Sequence, residues 1–306
     1  MNGWKMSVNH KRLLPVLLLL LLVACGDDSS SQNFVEPVSK VCGDRTIDRA
    51  NPPSNYIVLG NSLLLGNGGF GLAASEISKD YFSRIDSAFR SLNPDCIGRR
   101  VMAKHTENAL SNDELYASIS ENISPSLSDS NDLVIIQLGD NIDTGEEVTR
   151  MKKTVGAIMD TVCVKAPNAK VVWVGEWYSN SRKQKILREV TEDYGVQLID
   201  ISDLNVRENQ AKVGDIIQYP DVRTQSISYE EYRVYGEDTL FVAFKEDDKL
   251  YQTVIFILDH FDNPKSKQLN FVGELGIITD SFAATHPNDQ GFELIADRIL
   301  DGLGFK

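Results

Sequence analysis

Asn55-Tyr56-Ile57-Val58-Leu59-Gly60-Asn61-Ser62 is the stretch whose reading decides the fold. Tyr56 to Leu59 is an apolar, β-rich run without polar alternation, the pattern of a strand buried on both faces. It breaks into Gly60-Asn61-Ser62 and a glycine-laden loop, and a helical pattern begins near Ala73. A serine at the carboxyl end of the first strand of an α/β sheet sits where such sheets bind ligands. A tight turn there presents a hydroxyl to a substrate. The same residues also suit an ordinary turn capped by Asn61 or Ser62, so the rest of the chain has to decide.

The pattern repeats outward from this stretch. Strands are expected at Tyr56–Gly60, Ile97–Lys104, Leu133–Gly139, Lys170–Glu176 and Val196–Ile201, with Leu133–Gly139 the most buried and central. Helices are expected at about Ala73–Leu92, Asn112–Ile123, Glu146–Lys165 and Ser181–Tyr194. This alternation indicates a doubly wound parallel sheet of five strands with helices on both faces. From about residue 204 to 280 the rhythm changes to short β runs, among them Tyr232–Tyr235, Thr239–Phe244, Tyr251–Leu258 and Leu269–Thr279. Turn signals such as Gly236-Glu237-Asp238 separate them, which reads as an antiparallel β-rich insertion. A helical stripe of Phe292, Ile295, Ala296, Ile299 and Leu300 then closes the α/β pattern.

The 306 residues carry a net charge of −13, which argues against nucleic acid or anionic lipid as a partner. Lys5, Lys11 and Arg12 precede an apolar run from Leu13 to Ala24. That run is too short to span a bilayer and reads as a signal h-region. Residues 1–24 are therefore expected to be removed, 25–54 to form a tether and approach segment, and 55–306 the domain with its insertion. Leu22-Val23-Ala24-Cys25 resembles the lipobox of bacterial lipoproteins, which implies a lipid on Cys25 and a location in the cell envelope. The other cysteines are Cys42, Cys96 and Cys163, with no C-x-x-C pair to suggest a metal. An oxidising compartment permits a Cys42–Cys96 disulfide, leaving Cys163 as a buried thiol.

Gly66-Asn67-Gly68-Gly69-Phe70-Gly71 matches G-x-G-x-x-G, but its first glycine lies several residues beyond Gly60 and the second strand ends in Lys104-His105, not in an acid. A dinucleotide site is rejected on both counts, and no cofactor or metal is expected. Two other constellations carry chemistry. Gly139-Asp140-Asn141 follows the third strand, where an Asn amide can donate to charge developing on a carbonyl oxygen; a plain turn also favours these residues. His286-Pro287-Asn288-Asp289-Gln290-Gly291 leads into the last helix, and His286 joins His105 and His260 as candidate bases.

Nucleophile after strand one, amide donor after strand three and histidine before the last helix resemble the SGNH/GDSL hydrolase family. Gly60-Asn61-Ser62 corresponds to its first block with Asn61 for the usual Asp; Gly139-Asp140-Asn141 matches Gly-x-Asn, and His286-Pro287 through Gly291 matches the last block. Gly71 to Ser75 with Lys79-Asp80-Tyr81 is similar to a secreted, Bacteroidetes-like lipoprotein subgroup. The resemblance spans about residues 55–203 and 280–304. It implies a flavodoxin-like α/β/α sandwich and a carboxylic ester hydrolase with Ser62 as nucleophile, His286 as base and Asn141 in the oxyanion hole. The family's glycine donor after strand two is missing, leaving a backbone N–H between Ala103 and His105. Its acid, three residues before the histidine, is replaced by Ala283, leaving Asp280 as a substitute. The resemblance implies removal of acyl, chiefly acetyl, groups from carbohydrate. Trp177 and Tyr178, after strand four, suit stacking on a sugar ring and packing under the rim equally. The alternatives are a lipase- or thioesterase-like hydrolase and a non-catalytic glycan-binding lipoprotein with an eroded triad.

Overall fold

The computed structural model describes residues 42–66, 69–228, 232–235, 239–242, 244–246, 249–251, 254–257, 260–261, 268–278 and 281–306, with backbone alone for 221–275. Five parallel strands form one sheet: β1 Asn55–Gly60, β2 Ile97–Met102, β3 Leu133–Gln137, β4 Lys170–Val174 and β5 Gln197–Ile199, in the order β2-β1-β3-β4-β5. This is the flavodoxin-like order, and the direction of winding reverses between β1 and β3. Leu133–Gln137 is central and buried throughout.

Side-chain alternation along β1 divides the core. Tyr56 and Val58 pack with α1 (Tyr81–Leu92) and the C-terminal helix, while Ile57 and Leu59 pack with the helices between β2 and β5. Those helices are α2 (Lys104–Glu107), α3 (Asn112–Ser118), α4 (Gly145–Lys165) and α5 (Ser181–Asp193); the C-terminal helix is α6 (Asp289–Gly302). Capping boxes start α3 (Ser111 with Glu114) and α4 (Thr144 with Glu147), each satisfying two orphan N–H groups.

The first helix is later than its periodicity suggests. Asp80 is fully buried and its carboxylate accepts from Ser83 N–H, capping α1 at Tyr81. It also accepts from Gly71 N–H at 2.8 Å and from the Arg100 guanidinium. Residues 73–80 are thus spent on a turn with Ala73 at φ +74° and one 3₁₀ turn at Ile77–Lys79. The pairing of cysteines also differs from expectation. Cys42 bonds Cys163, with Cα atoms 4.9 Å apart, and Cys96 is a buried free thiol. Cys42 and Cys163 lie on the α4 face of the sheet, whereas Cys96 lies under α1 on the opposite face, so a Cys42–Cys96 bond would have to cross the sheet.

Beyond β5 the chain enters antiparallel strands: β6 Ile216–Ser228, β7 Tyr232–Tyr235, β8 Thr239–Val242, β9 Phe244–Glu246, β10 Lys249–Tyr251, β11 Val254–Ile257, β12 His260–Phe261 and β13 Gln268–Ile278. The root of this insertion is fastened to the main domain. Ile217, Tyr219 and Ile278 join the core under α6, and the Tyr219 ring lies 6.0 Å from Phe70.

Candidate active site

The turn after β1 is built by its own residues. Asn61 is fully buried; its backbone carbonyl accepts from Leu64 and Leu65 N–H, and its side-chain oxygen accepts from Leu63 N–H at 3.1 Å. The loop doubles back so that Leu72 N–H donates to Ser62 O at 2.8 Å. A Cβ at Gly71 would sit 2.6 Å from Leu63 O and 2.7 Å from the Phe292 ring, so the loop closes on itself and on α6 only with glycine there. Gly66, where a Cβ would lie 2.7 Å from Leu72 Cα, serves the same close packing.

The histidine arrives from the other end of the chain. Asn288 caps α6 by accepting from Gly291 N–H, and its amide donates to the carbonyls of Glu208 and Gln210. Ala211 N–H donates to His286 O at 2.9 Å. With the backbone pinned on both sides, His286 is fully buried and its Nε2 lies 3.0 Å from Ser62 Oγ.

Among the described residues, the other ring nitrogen meets two oxygens. Nδ1 is 3.1 Å from Tyr178 Oη and 3.3 Å from Phe282 O. Thr285 Oγ1 donates to Phe282 O at 2.7 Å and stands 2.9 Å from Tyr178 Oη. A hydroxyl whose proton goes to a carbonyl must accept from its other neighbour. Tyr178 therefore donates to Thr285, which leaves a Tyr178 lone pair facing Nδ1. Both oxygens at Nδ1 are acceptors, so the proton belongs on Nδ1 and the lone pair of Nε2 faces Ser62. Burial pushes the Tyr178 phenol well above its ordinary pKa, keeping it neutral.

Under the turn lies a buried polar network. Glu107, at the end of α2, accepts through Oε1 from Gly139 N–H and from Asn61 Nδ2 (3.3 Å), and through Oε2 from Asn141 Nδ2 at 2.6 Å. Asp140 accepts from Gln137 Nε2 at 2.6 Å, Asn61 Nδ2 at 3.2 Å and Tyr178 N–H at 2.8 Å. Asn61 thus donates to two buried carboxylates, where an Asp would add a third negative charge. Gly139, at φ +128°, also gives its carbonyl to the buried Lys183 ammonium at 2.9 Å, and a Cβ there would strike Glu176 at 2.6 Å. Burial raises the Glu107 carboxyl to about 7; hydrogen bonds from Gly139, Asn141 and Asn61 oppose this, and the Asp140 charge adds to it. Asp140 is also raised, chiefly by burial. Glu176 is raised to about 8 by burial, with Lys183 opposing.

Ser62 and His286 therefore meet at the carboxyl edge of the sheet, where the winding reverses, and Asn141, beyond β3, is tied to the Ser62 turn through Glu107 and Asn61. Trp177 does not form a rim: it is 1% exposed, and its Nε1 donates to Thr285 O at 2.9 Å, bracing the histidine loop from below. Tyr178 faces His286 edge-on at 5.7 Å instead of standing clear for a sugar. Asp280 and Cys25 lie outside the described residues. Of the backbone donors after β2, Ala103 N–H is taken by Gly60 O, which leaves Lys104 and His105. His105 is exposed at the start of α2. Among the described residues no group of His, Cys, Asp and Glu side chains is arranged to hold a metal ion. Sequence reasoning missed Glu107 and Thr285, and it singled out Tyr178 for a sugar ring, not for His286. A carboxylate just past β2 in a fold that gathers strand ends was the available signal for Glu107; the pairing of Tyr178 with Thr285 had none.

No family model matches the sequence, and no curated protein matches it. Solved structures with a similar chain path include an extracellular lipase from Streptomyces rimosus, at 12% identity and a TM-score of 0.35 over 49% of this chain and 81% of that one. A two-domain esterase active on acetylated mannans, crystallised with mannopentaose, is similar at 14% identity and a TM-score of 0.42 over 81% of this chain and 48% of that one. An acetyl xylan esterase from the rumen bacterium Butyrivibrio proteoclasticus gives 12% identity and 0.34 over 48% and 55%. Likenesses this remote do not bear on activity; the doubly wound fold rests on the strand order and register themselves.

Proposed function

We propose that the protein is a serine esterase of the SGNH type acting on acyl esters. The observation that carries this is the 3.0 Å contact between Ser62 Oγ and His286 Nε2, with Tyr178 Oη and Phe282 O, among the described residues, as acceptors at Nδ1. In the first half-reaction Nε2 takes the Ser62 proton as Oγ bonds to the ester carbonyl carbon. The carbonyl oxygen gains the displaced electron pair and is met by the second N–H of Asn141 and the N–H of Ser62, which is spent on no described hydrogen bond. Collapse breaks the bond to the alcohol oxygen, which leaves with the proton from Nε2. Water, deprotonated by the same nitrogen, then releases the acid and restores Ser62.

The leading substrate class is an O-acetylated carbohydrate, supported by the small, half-exposed serine turn and by the family resemblance. We further propose that the protein acts in the bacterial cell envelope, held to a membrane by a lipid on Cys25. Turnover of p-nitrophenyl acetate, lost in Ser62→Ala with cooperative unfolding retained, is the expected result. Turnover that survives Ser62→Ala overturns the mechanism. A higher kcat/KM on long-chain p-nitrophenyl esters than on acetylated xylo- or manno-oligosaccharides would replace the substrate class with lipids. Binding of those oligosaccharides without any hydrolysis would replace the enzyme with a binding protein.

A further inference from the structure

Asn141 can stabilise an oxyanion only if its amide nitrogen, not its oxygen, faces the reacting carbonyl, and nothing in the amide itself decides between the two. The decision lies one layer deeper. Glu107 is 2% exposed, and its two oxygens receive three N–H donors: Gly139 and Asn61 on Oε1, Asn141 on Oε2. Above its raised pKa of about 7 the Glu107 carboxylate is ionised and acceptor-only, so the atom of Asn141 beside Oε2 is then nitrogen. One of its N–H bonds is used there at 2.6 Å and the other is left over.

The same carboxylate holds the peptide that carries Asn141. Gly139 N–H points at Oε1 while Gly139 O receives Lys183, so the positive-φ turn is gripped from both sides by buried ionisable groups. We infer that Glu107 is a positioning residue for ester hydrolysis, fixing the orientation of the Asn141 amide and of the Gly139 turn for oxyanion stabilisation. This role rests on the proposed esterase reading and on Asn141 as a donor in it.

Glu107→Gln is the informative change. It keeps the shape but leaves one acceptor oxygen for donors on two sides, so its own NH₂ must face either Asn141 or the Gly139–Asn61 pair. A role confined to stability would show in unfolding and move kcat equally whether or not Asn141 is present. A role through Asn141 would appear only while Asn141 is there.

The experiment is a double-mutant cycle on p-nitrophenyl acetate with wild type, Glu107→Gln, Asn141→Ala and the double variant, kcat and KM being measured separately. Losing an oxyanion donor costs on the order of 10²–10³ in kcat. Glu107→Gln is expected to lower kcat at least ~10-fold with KM within about threefold, and to cost less than about threefold once Asn141 is Ala. Equal losses in both backgrounds, or a kcat within about threefold of wild type in the single variant, overturn the positioning role while leaving the esterase standing. An Asn141→Ala variant with unchanged kcat removes the reading beneath it, and the role with it. If Glu107→Gln does not yield folded protein by near-ultraviolet circular dichroism, Glu107→Asp, which keeps the charge and shortens the reach, takes its place in the cycle. A kcat loss that vanishes without Asn141 then supports the positioning role, and an equal loss in both backgrounds overturns it.

Discussion

Tyr178→Phe removes one oxygen and little else. The ring would keep its stacking on Phe282 (6.1 Å) and its edge contact with His286 (5.7 Å). What goes is the nearer of the two described acceptors at Nδ1, at 3.1 Å, while Phe282 O at 3.3 Å stays. On the proposed mechanism, that hydrogen bond joins two neutral groups before reaction and contributes about 0.5–1.5 kcal/mol. In the transition state the ring is an imidazolium, and a hydrogen bond to a charged group is worth about 1.5–3 kcal/mol. The difference, about 1–2 kcal/mol, corresponds to a fall in kcat of roughly 5–30-fold. This is far below the ~10⁴ lost with a true triad carboxylate, because Tyr178 is neutral and shares Nδ1 with a carbonyl. The assay is steady-state hydrolysis of p-nitrophenyl acetate by Tyr178→Phe, Thr285→Val and the pair. Thr285→Val removes the acceptor that directs the Tyr178 proton away from Nδ1, so the double variant should cost little more than Tyr178→Phe alone. A Tyr178→Phe rate within twofold of wild type, or full additivity with Thr285→Val, would refute the tautomer assignment.

Three further outcomes are expected. Asn61→Asp places a third carboxylate between Glu107 and Asp140, so chemical denaturation should show a loss of stability that grows with pH, and kcat should fall with it. Glu176, raised from 4.5 to about 8, binds more protons folded than unfolded between those values, so its contribution to stability is largest below about pH 4.5 and is lost as pH rises through about 8. Glu176→Gln should therefore match wild type in urea midpoint near pH 5 and show a shallower decline towards pH 8.5; parallel curves would count against a buried neutral acid. Cys25→Ser should move the protein from the membrane fraction to the soluble one, and a variant that stays membrane-bound would assign the anchor elsewhere.

The fold was legible because its signals are local and repeated. Runs such as Tyr56–Leu59 and Leu133–Gln137 announce strands buried on both faces, and the order of strands and helices leaves a doubly wound sheet as the natural outcome. Ser62, Asn141 and His286 stood out because each sits in a strand-end or helix-start motif. Positions decided by long-range partners were not legible. The start of α1 at Tyr81 depends on Arg100, Gly71 and Ser83 meeting at Asp80. The Cys42–Cys163 bond depends on which face of the sheet each cysteine reaches. In sequence Trp177, after β4, suits a rim and a packed position equally, and it is the Thr285 carbonyl that draws its indole inward. Glu107 looks ordinary in sequence and Tyr178 stands out there only as an aromatic beside Trp177; both gain their place at Asn141 and His286 from what folds against them.

The central claim is that Ser62 is a nucleophile activated by His286. It is tested most directly by treating the intact protein with a fluorophosphonate ester and mapping the adduct by mass spectrometry. One covalent adduct is expected, on Ser62, absent from Ser62→Ala and strongly slowed in His286→Ala. An unlabelled Ser62 in folded wild-type protein, or an adduct formed equally fast without His286, would contradict it.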